Sequence, residues 1–226
     1  SRPAFTPTLN VQLAVVSRYV PGLPLTQLLL RRGRFDSAVV ARIGRSLLEA
    51  LGILFQRKLV HGEITLDNVL LTQSGQVTLV DAGTAIAIQP EFQINAFVEP
   101  HRNDGIAPEL IGTGRRASQA SDLYALGCLL WHLLAGRPAF PTGDPLSKLA
   151  SHQTSRIPDI REIAPETPEP LANAITWLTE PNPKKRPQHV GQVLGTVTRK
   201  APTANSPQKN ATASGKVPAA SAKPVS

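Results

Sequence analysis

Apolar residues recur along this chain with two different periods, and each change of period marks a new element. Val40, Ile43, Leu47, Leu51 and Leu54 follow one another at three- and four-residue steps, which lays an apolar stripe along one side of an α-helix. Arg45, Glu49 and Arg57 fall off that stripe, and Asp36 or Ser37 stands where such a helix needs its N-cap. A short helix is predicted just before it, from Thr26 to Arg32. Helical patterns return at 121–136, 145–152, 168–179 and 187–198, with Pro and Gly between them.

Between these helices the pattern shortens to runs of β type. Residues 11–20, "VQLAVVSRYV", end at Pro21-Gly22 and read as a buried strand stopped by a turn. "NVLLT" and "QVTLV" flank Gln73-Ser74-Gly75 and predict a hairpin. Asn68 opens the first run and Asp81 closes the second, so antiparallel pairing brings both side chains to one edge. Residues 84–106 hold no period and contain Pro90, Pro100 and Gly105; a loop of that length is functional or disordered. No internal repeat is present.

Composition changes this picture mainly at the C-terminus. From residue 199 onward the chain has no aromatic residue and a dense mix of Pro, Ala, Ser, Thr and Lys, which reads as a disordered tail or linker. The chain has 226 residues and a formal charge of +8, but Arg199, Lys200, Lys209, Lys216 and Lys223 carry five of it with no acid among them. The charge is therefore no signature of specific nucleic-acid binding, although the tail lysines suit contact with acidic surfaces. With 41% apolar residues, one principal core is the default. Cys128 is the single cysteine and sits in "YALGCLLWHLL", the setting of a buried thiol rather than a nucleophile. No apolar run is long enough to span a bilayer and no signal peptide opens the chain, so a cytoplasmic, reducing location is expected. The absence of methionine, including at position 1, suggests a fragment or a trimmed product.

The short motifs are more specific as a set than singly. In order they are "VVSRYVPG" at 15–22, "HGEITLDN" at 61–68, "DAG" at 81–83, "APE" at 107–109, "SDLYALGCLLWHLLAGRPAF" at 121–140 and "NPKKRP" at 182–187. Over about residues 11–198 this series resembles the C-terminal lobe of the eukaryotic-like serine/threonine protein kinases. The resemblance implies an α+β, mainly α fold: a kinase-like C-lobe at 23–198, a hinge strand and N-lobe remnant at 1–22, and the tail at 199–226. It implies that Arg18 and Val20 lie at the hinge beside a nucleotide. It further implies that Asn68 and Asp81 hold Mg²⁺ on ATP phosphates, since hard cations demand oxygen ligands. Asp122 is expected to accept hydrogen bonds from the loop backbone, Glu109 to pair with Arg186, and His61 to pack as scaffold.

Departures from the family pattern bear on the chemistry. Glu63 stands at the position of the catalytic Asp, Gly62 at that of the Arg that reads an activation-loop phosphate, Thr65 at that of the loop Lys, and Ala82 at that of the DFG Phe. Only about ten residues precede the hinge strand, too few for a Gly-rich loop and its Lys. The leading expectation is a pseudokinase that binds protein partners, or nucleotide weakly, with little or no phosphotransfer. An active atypical serine/threonine kinase acting on a protein substrate, with its N-lobe missing from this fragment, is the alternative. A scaffold without any nucleotide site, and so without a cofactor, is the third reading.

Overall fold

A computed structural model of the chain describes residues 18–82, 103–141 and 144–197. The order is β1 (Leu23–Pro24), α1 (Leu25–Arg32), α2 (Ser37–Gln56), β2 (Val69–Leu71), β3 (Val77–Leu79), α3 (Gln119–Ala135), α4 (Pro145–Thr154), α5 (Glu169–Leu178) and α6 (Gly191–Val197). Short 3₁₀ turns at Pro108–Leu110, Ile160–Glu162 and Pro183–Lys185 connect the later helices. Among the described residues the architecture is α+β and mainly helical, with one small antiparallel sheet.

The stripe on α2 is what drives that helix inward: Val40, Ile43, Leu47 and Leu51 are all buried, while Leu54 is half-covered at its end. They pack on α3, which is buried on nearly every side and carries Leu126, Leu130 and Leu133 at 0% exposure. Because α3 is apolar all round, its ends are set by caps rather than by an amphipathic pattern. At the start, the Ser118 hydroxyl accepts the Ser121 N–H at 3.2 Å and the Ser121 hydroxyl accepts the Ser118 N–H at 2.8 Å, a reciprocal capping box. At the end, Gly136 turns the chain at φ +76°, where its backbone sits directly against the carbonyl oxygen of Gly33. Gly127, mid-helix, lets α3 approach the end of α5: a Cβ there would lie 2.6 Å from Thr179 Cγ2.

The hairpin forms with Val69 opposite Leu79 and Leu71 opposite Val77. A third strand joins it at β1, with Leu23 opposite Leu71 and Pro24 opposite Leu70. Of the strand expected over 11–20, residues 11–17 lie outside the described residues and Arg18 to Val20 form no strand. Gly22, at φ +132°, brings the backbone close to Leu70 and Leu71: a Cβ there would lie 3.2 Å from the Leu71 carbonyl carbon, a tight contact. A second correction concerns α2: Asp36 holds the N-cap position, but its side chain makes no cap hydrogen bond. The last helix starts at Gly191 rather than 187, because Pro187 to Val190 make a turn. Of the loop expected at 84–106, residues 84–102 lie outside the described residues, and so does the tail at 199–226. No helix among the described residues is long and apolar enough to cross a membrane.

Candidate functional site

The loop from His61 to Asn68 is shaped by a carboxylate that reaches it from another element. Asp122, in the first turn of α3 and 2% exposed, accepts the N–H of His61 at 2.8 Å on Oδ2 and that of Gly62 at 2.9 Å on Oδ1. Burial pushes the Asp122 carboxyl up to about 6, against the two N–H groups that favour its anion. Gly62 sits at φ +82°, in the left-handed region, so the loop kinks between the clamp and Glu63.

His61 ties the same loop to the hairpin. Its Nε2–H donates to the Val80 carbonyl at 2.9 Å while Nδ1 accepts the Glu63 N–H at 3.3 Å, an arrangement that requires the neutral ring. Burial lowers its pKa accordingly, with the Val80 carbonyl and the nearby Asp81 charge pulling the other way. The Asn68 side chain closes the turn: its Nδ2–H donates to the Glu63 carbonyl at 2.9 Å, leaving the amide oxygen facing elsewhere. Val80 N–H donates to the Asn68 carbonyl at 2.9 Å, which extends the hairpin to the residue before Asp81. Asp81 is exposed and adopts φ +61°, a conformation that Asp tolerates better than most residues. Asn68 and Asp81 thus sit at one end of the β2–β3 hairpin, beside His61 and Glu63. Arg18 is exposed and Val20 half-buried, on the approach to β1.

The second expected pair is a dense buried knot. Arg186, 2% exposed, donates to Glu109 through Nη1 at 2.7 Å and Nη2 at 2.8 Å, a bidentate pair. Its remaining N–H groups reach the carbonyls of Ala120 at 2.9 Å, Glu180 at 2.6 Å and Pro181 at 3.0 Å, and its guanidinium lies 4.7 Å over the Tyr124 ring. One side chain therefore joins the "APE" turn, α3 and the segment before α6.

On the other side of the loop lies a feature that sequence reasoning missed. A cavity of about 470 Å³ opens between α1, the loop and α3; Leu29, Ile64 and Leu129 form its apolar walls, and Thr65 and Asp67 its rim. Thr26 Oγ1 donates to Asp67 at 2.6 Å across it. Asp104, also at the cavity, pairs with Lys148 of α4 and lies 3.9 Å from His132 Nδ1. Behind them His152 Nδ1 is 3.0 Å from the Tyr124 hydroxyl, and the Phe140 ring stands edge-on at 4.9 Å. Burial, with Lys148 nearby, lowers both His132 and His152 to about 4. Asp67 lies within "HGEITLDN", whereas Asp104, His132 and Lys148 are spread over 44 residues with no common sequence pattern. Cys128 is buried beside this cavity and burial raises its thiol pKa, so it stays protonated and inert. The described residues contain no cluster of three His, Cys, Asp or Glu side chains able to hold a metal.

A helical lobe built round an Asp-clamped loop, a hairpin carrying Asn and Asp, and a Glu–Arg tie is the frame of a protein kinase domain. The chain belongs to the eukaryotic-like protein kinase family: the protein kinase domain profile matches residues 6–196. Among curated relatives it is 28% identical over 186 residues to the probable serine/threonine-protein kinase PknB of Lactococcus lactis subsp. lactis, covering 81% of this chain and 29% of that one. It is 26% identical over 172 residues to the serine/threonine-protein kinase PrkC of Bacillus subtilis, covering 76% and 26%. To the DNA damage-responsive serine/threonine-protein kinase RqkA of Deinococcus radiodurans it is 31% identical over 140 residues, covering 62% and 21%. The chain thus spans less than a third of the length of these relatives.

Proposed function

We propose that this chain is the C-lobe of a degenerate kinase domain, a pseudokinase that transfers phosphate weakly or not at all and acts by binding a protein partner. The observation that carries this reading is at the loop. Its shape is held by Asp122 through backbone groups of His61 and Gly62, so the shape persists while the side chains at the reacting positions have changed. Glu63 stands where the family places its catalytic Asp. Its extra methylene moves the carboxylate by roughly 1 Å, a displacement that can lower a rate about a hundredfold. Gly62 offers no guanidinium for an activation-segment phosphate, and Thr65 no ammonium for a transferred one. The partner's place is the cavity beside Thr65, which is concave, mainly apolar and edged by Asp67.

An active kinase is the second reading, and one observation favours it. The Asn68 amide nitrogen is committed to the Glu63 carbonyl, which leaves the amide oxygen to act as an acceptor, and the hairpin brings Asn68 and Asp81 to the same end. An amide and a carboxylate oxygen fit Mg²⁺, which keeps several waters and takes the rest of its ligands from phosphates. When bound, the ion would neutralise phosphate charge; this chain's part would be to hold it with Asn68 and Asp81 and to position a substrate hydroxyl near Glu63.

Thermal denaturation with millimolar Mg²⁺–ATP, paired with a phosphotransfer assay, tests the proposal. Tight binding to the folded form raises its stability. The expected results are no Mg²⁺-dependent rise in Tm and phosphotransfer near background. A clear rise abolished by Asp81→Ala, with natural activity that Glu63→Asp leaves unchanged or lowers, would establish the active kinase instead.

A further inference from the structure

The end of α1 carries charge that neither the loop nor the cavity uses. Arg31 and Arg32 occupy its last turn, Arg34 follows Gly33, and all three are exposed. They meet a fourth arginine at a seam between helix ends. Phe35 N–H donates to the Leu133 carbonyl at 2.8 Å, and Gly136 packs on the Gly33 carbonyl, so Arg137 leaves α3 beside Arg32 and Arg34. Two of these side chains are held in place from beneath. The Arg32 guanidinium lies 5.7 Å over the ring of Phe35 and that of Arg137 lies 5.7 Å over the ring of Trp131, both rings being buried. Arg34 pairs with Glu166 through side chains that are both more than half exposed, whereas among the described residues no carboxylate pairs with Arg31, Arg32 or Arg137. Next to Arg31, at the edge of the cavity, Leu30 is 84% exposed.

We infer that this seam is a docking surface for a membrane bearing anionic phospholipids, with the arginines on lipid phosphates and Leu30 entering the interface. Guanidinium groups match phosphate oxygens in geometry and charge, and a basic patch with an exposed apolar side chain beside it is what an anionic bilayer surface selects. Nucleic acid is the poorer match, because single-stranded binding needs exposed rings for stacking and both aromatics here are buried under the arginines. An acidic protein would be drawn by the same charge, but it would leave anionic vesicles unbound, and flotation separates the two. The inference is independent of whether the loop transfers phosphate.

Flotation of the whole chain with vesicles tests it, comparing phosphatidylcholine alone with phosphatidylcholine containing phosphatidylglycerol. The expected result is binding to the anionic vesicles only, falling as salt is raised. Arg31→Glu with Arg137→Glu lowers it by about tenfold or more, given the affinity that each basic residue near the surface contributes. Arg31→Gln with Arg137→Gln, which keeps the fold if the reversal disturbs it, lowers it in the same direction, and so does Leu30→Asp. Lys209→Glu with Lys216→Glu, in the basic tail, leaves most of the binding in place. Binding that survives both arginine pairs but disappears with the tail substitutions would overturn the assignment, and so would failure of the natural chain to float with anionic vesicles, the outcome expected if an acidic protein is the true partner.

Discussion

Asp122 grips Gly62 by its backbone N–H at 2.9 Å, and Gly62 answers with a left-handed φ of +82°. A residue with a Cβ pays a conformational cost there, on the order of 1–2 kcal/mol. Gly62→Ala is expected to lower the free energy of unfolding in urea by about that amount. Glu63→Asp, at a neighbouring position without positive φ, is expected to leave it within about 0.5 kcal/mol. Restoring a family-like Arg at position 62 therefore weakens the fold, and a gain in phosphotransfer is to be sought first in Glu63→Asp alone.

Arg186 is fully hydrogen-bonded and buried, so the loss of either partner strands the other. Glu109→Gln and Arg186→Met should each destabilise by about 3–5 kcal/mol, mainly by leaving an uncompensated buried charge. Replacing both together should cost less than the sum of the two single changes, and a double-mutant cycle by chemical denaturation measures the difference.

Acid acts through His132 and His152. Each has an unfolded pKa of 6.5 and a folded pKa of about 4, so between these values the unfolded chain binds more protons. Their contribution is complete above about pH 6.5 and is lost as pH falls towards 4. Asp122 works with the opposite sign: raised from 3.8 to about 6, it favours the folded form in acid and ceases to do so above about pH 6. The groups that face the histidines are Lys148, Asp104, Tyr124 and Phe140, of which Lys148 opposes a second positive charge. Stability measured by denaturant at fixed pH should fall from pH 6.5 to 4, and His152→Gln should flatten that slope.

Close approach of α3 and α5 depends on Gly127. A methyl there would meet Thr179 Cγ2 at 2.6 Å and Leu178 Cβ at 2.8 Å. Gly127→Ala is expected to destabilise by about 1–3 kcal/mol despite its better helix propensity, with a lowered Tm as the readout.

The helices were legible in the sequence wherever one side is apolar and the other polar. α2 follows its stripe, and Leu54, at the end of the stripe, is the position that stays partly open. The start of α3 was less legible because its cap uses Ser118 and Ser121, whereas the familiar pattern has an acidic or amide residue at the later position. β1 was missed because it is two residues long and contains Pro24; only contact with Leu70 and Leu71 makes it a strand. Asn68 and Asp81 could be placed together because a hairpin fixes register. The cavity group of Asp104, His132 and Lys148 could not, since tertiary packing alone assembles it.

The clamp on the loop has a consequence for how such a domain changes over generations. Asp122 recognises only main-chain groups of His61 and Gly62, and the Asn68 side chain likewise holds a main-chain carbonyl. Heritable changes at positions 63 and 65 therefore leave the loop's path intact and escape the purging that misfolding would bring. A lineage built this way can drift out of catalysis and return to it by single codons, because the stage on which the chemistry is performed is inherited separately from the actors.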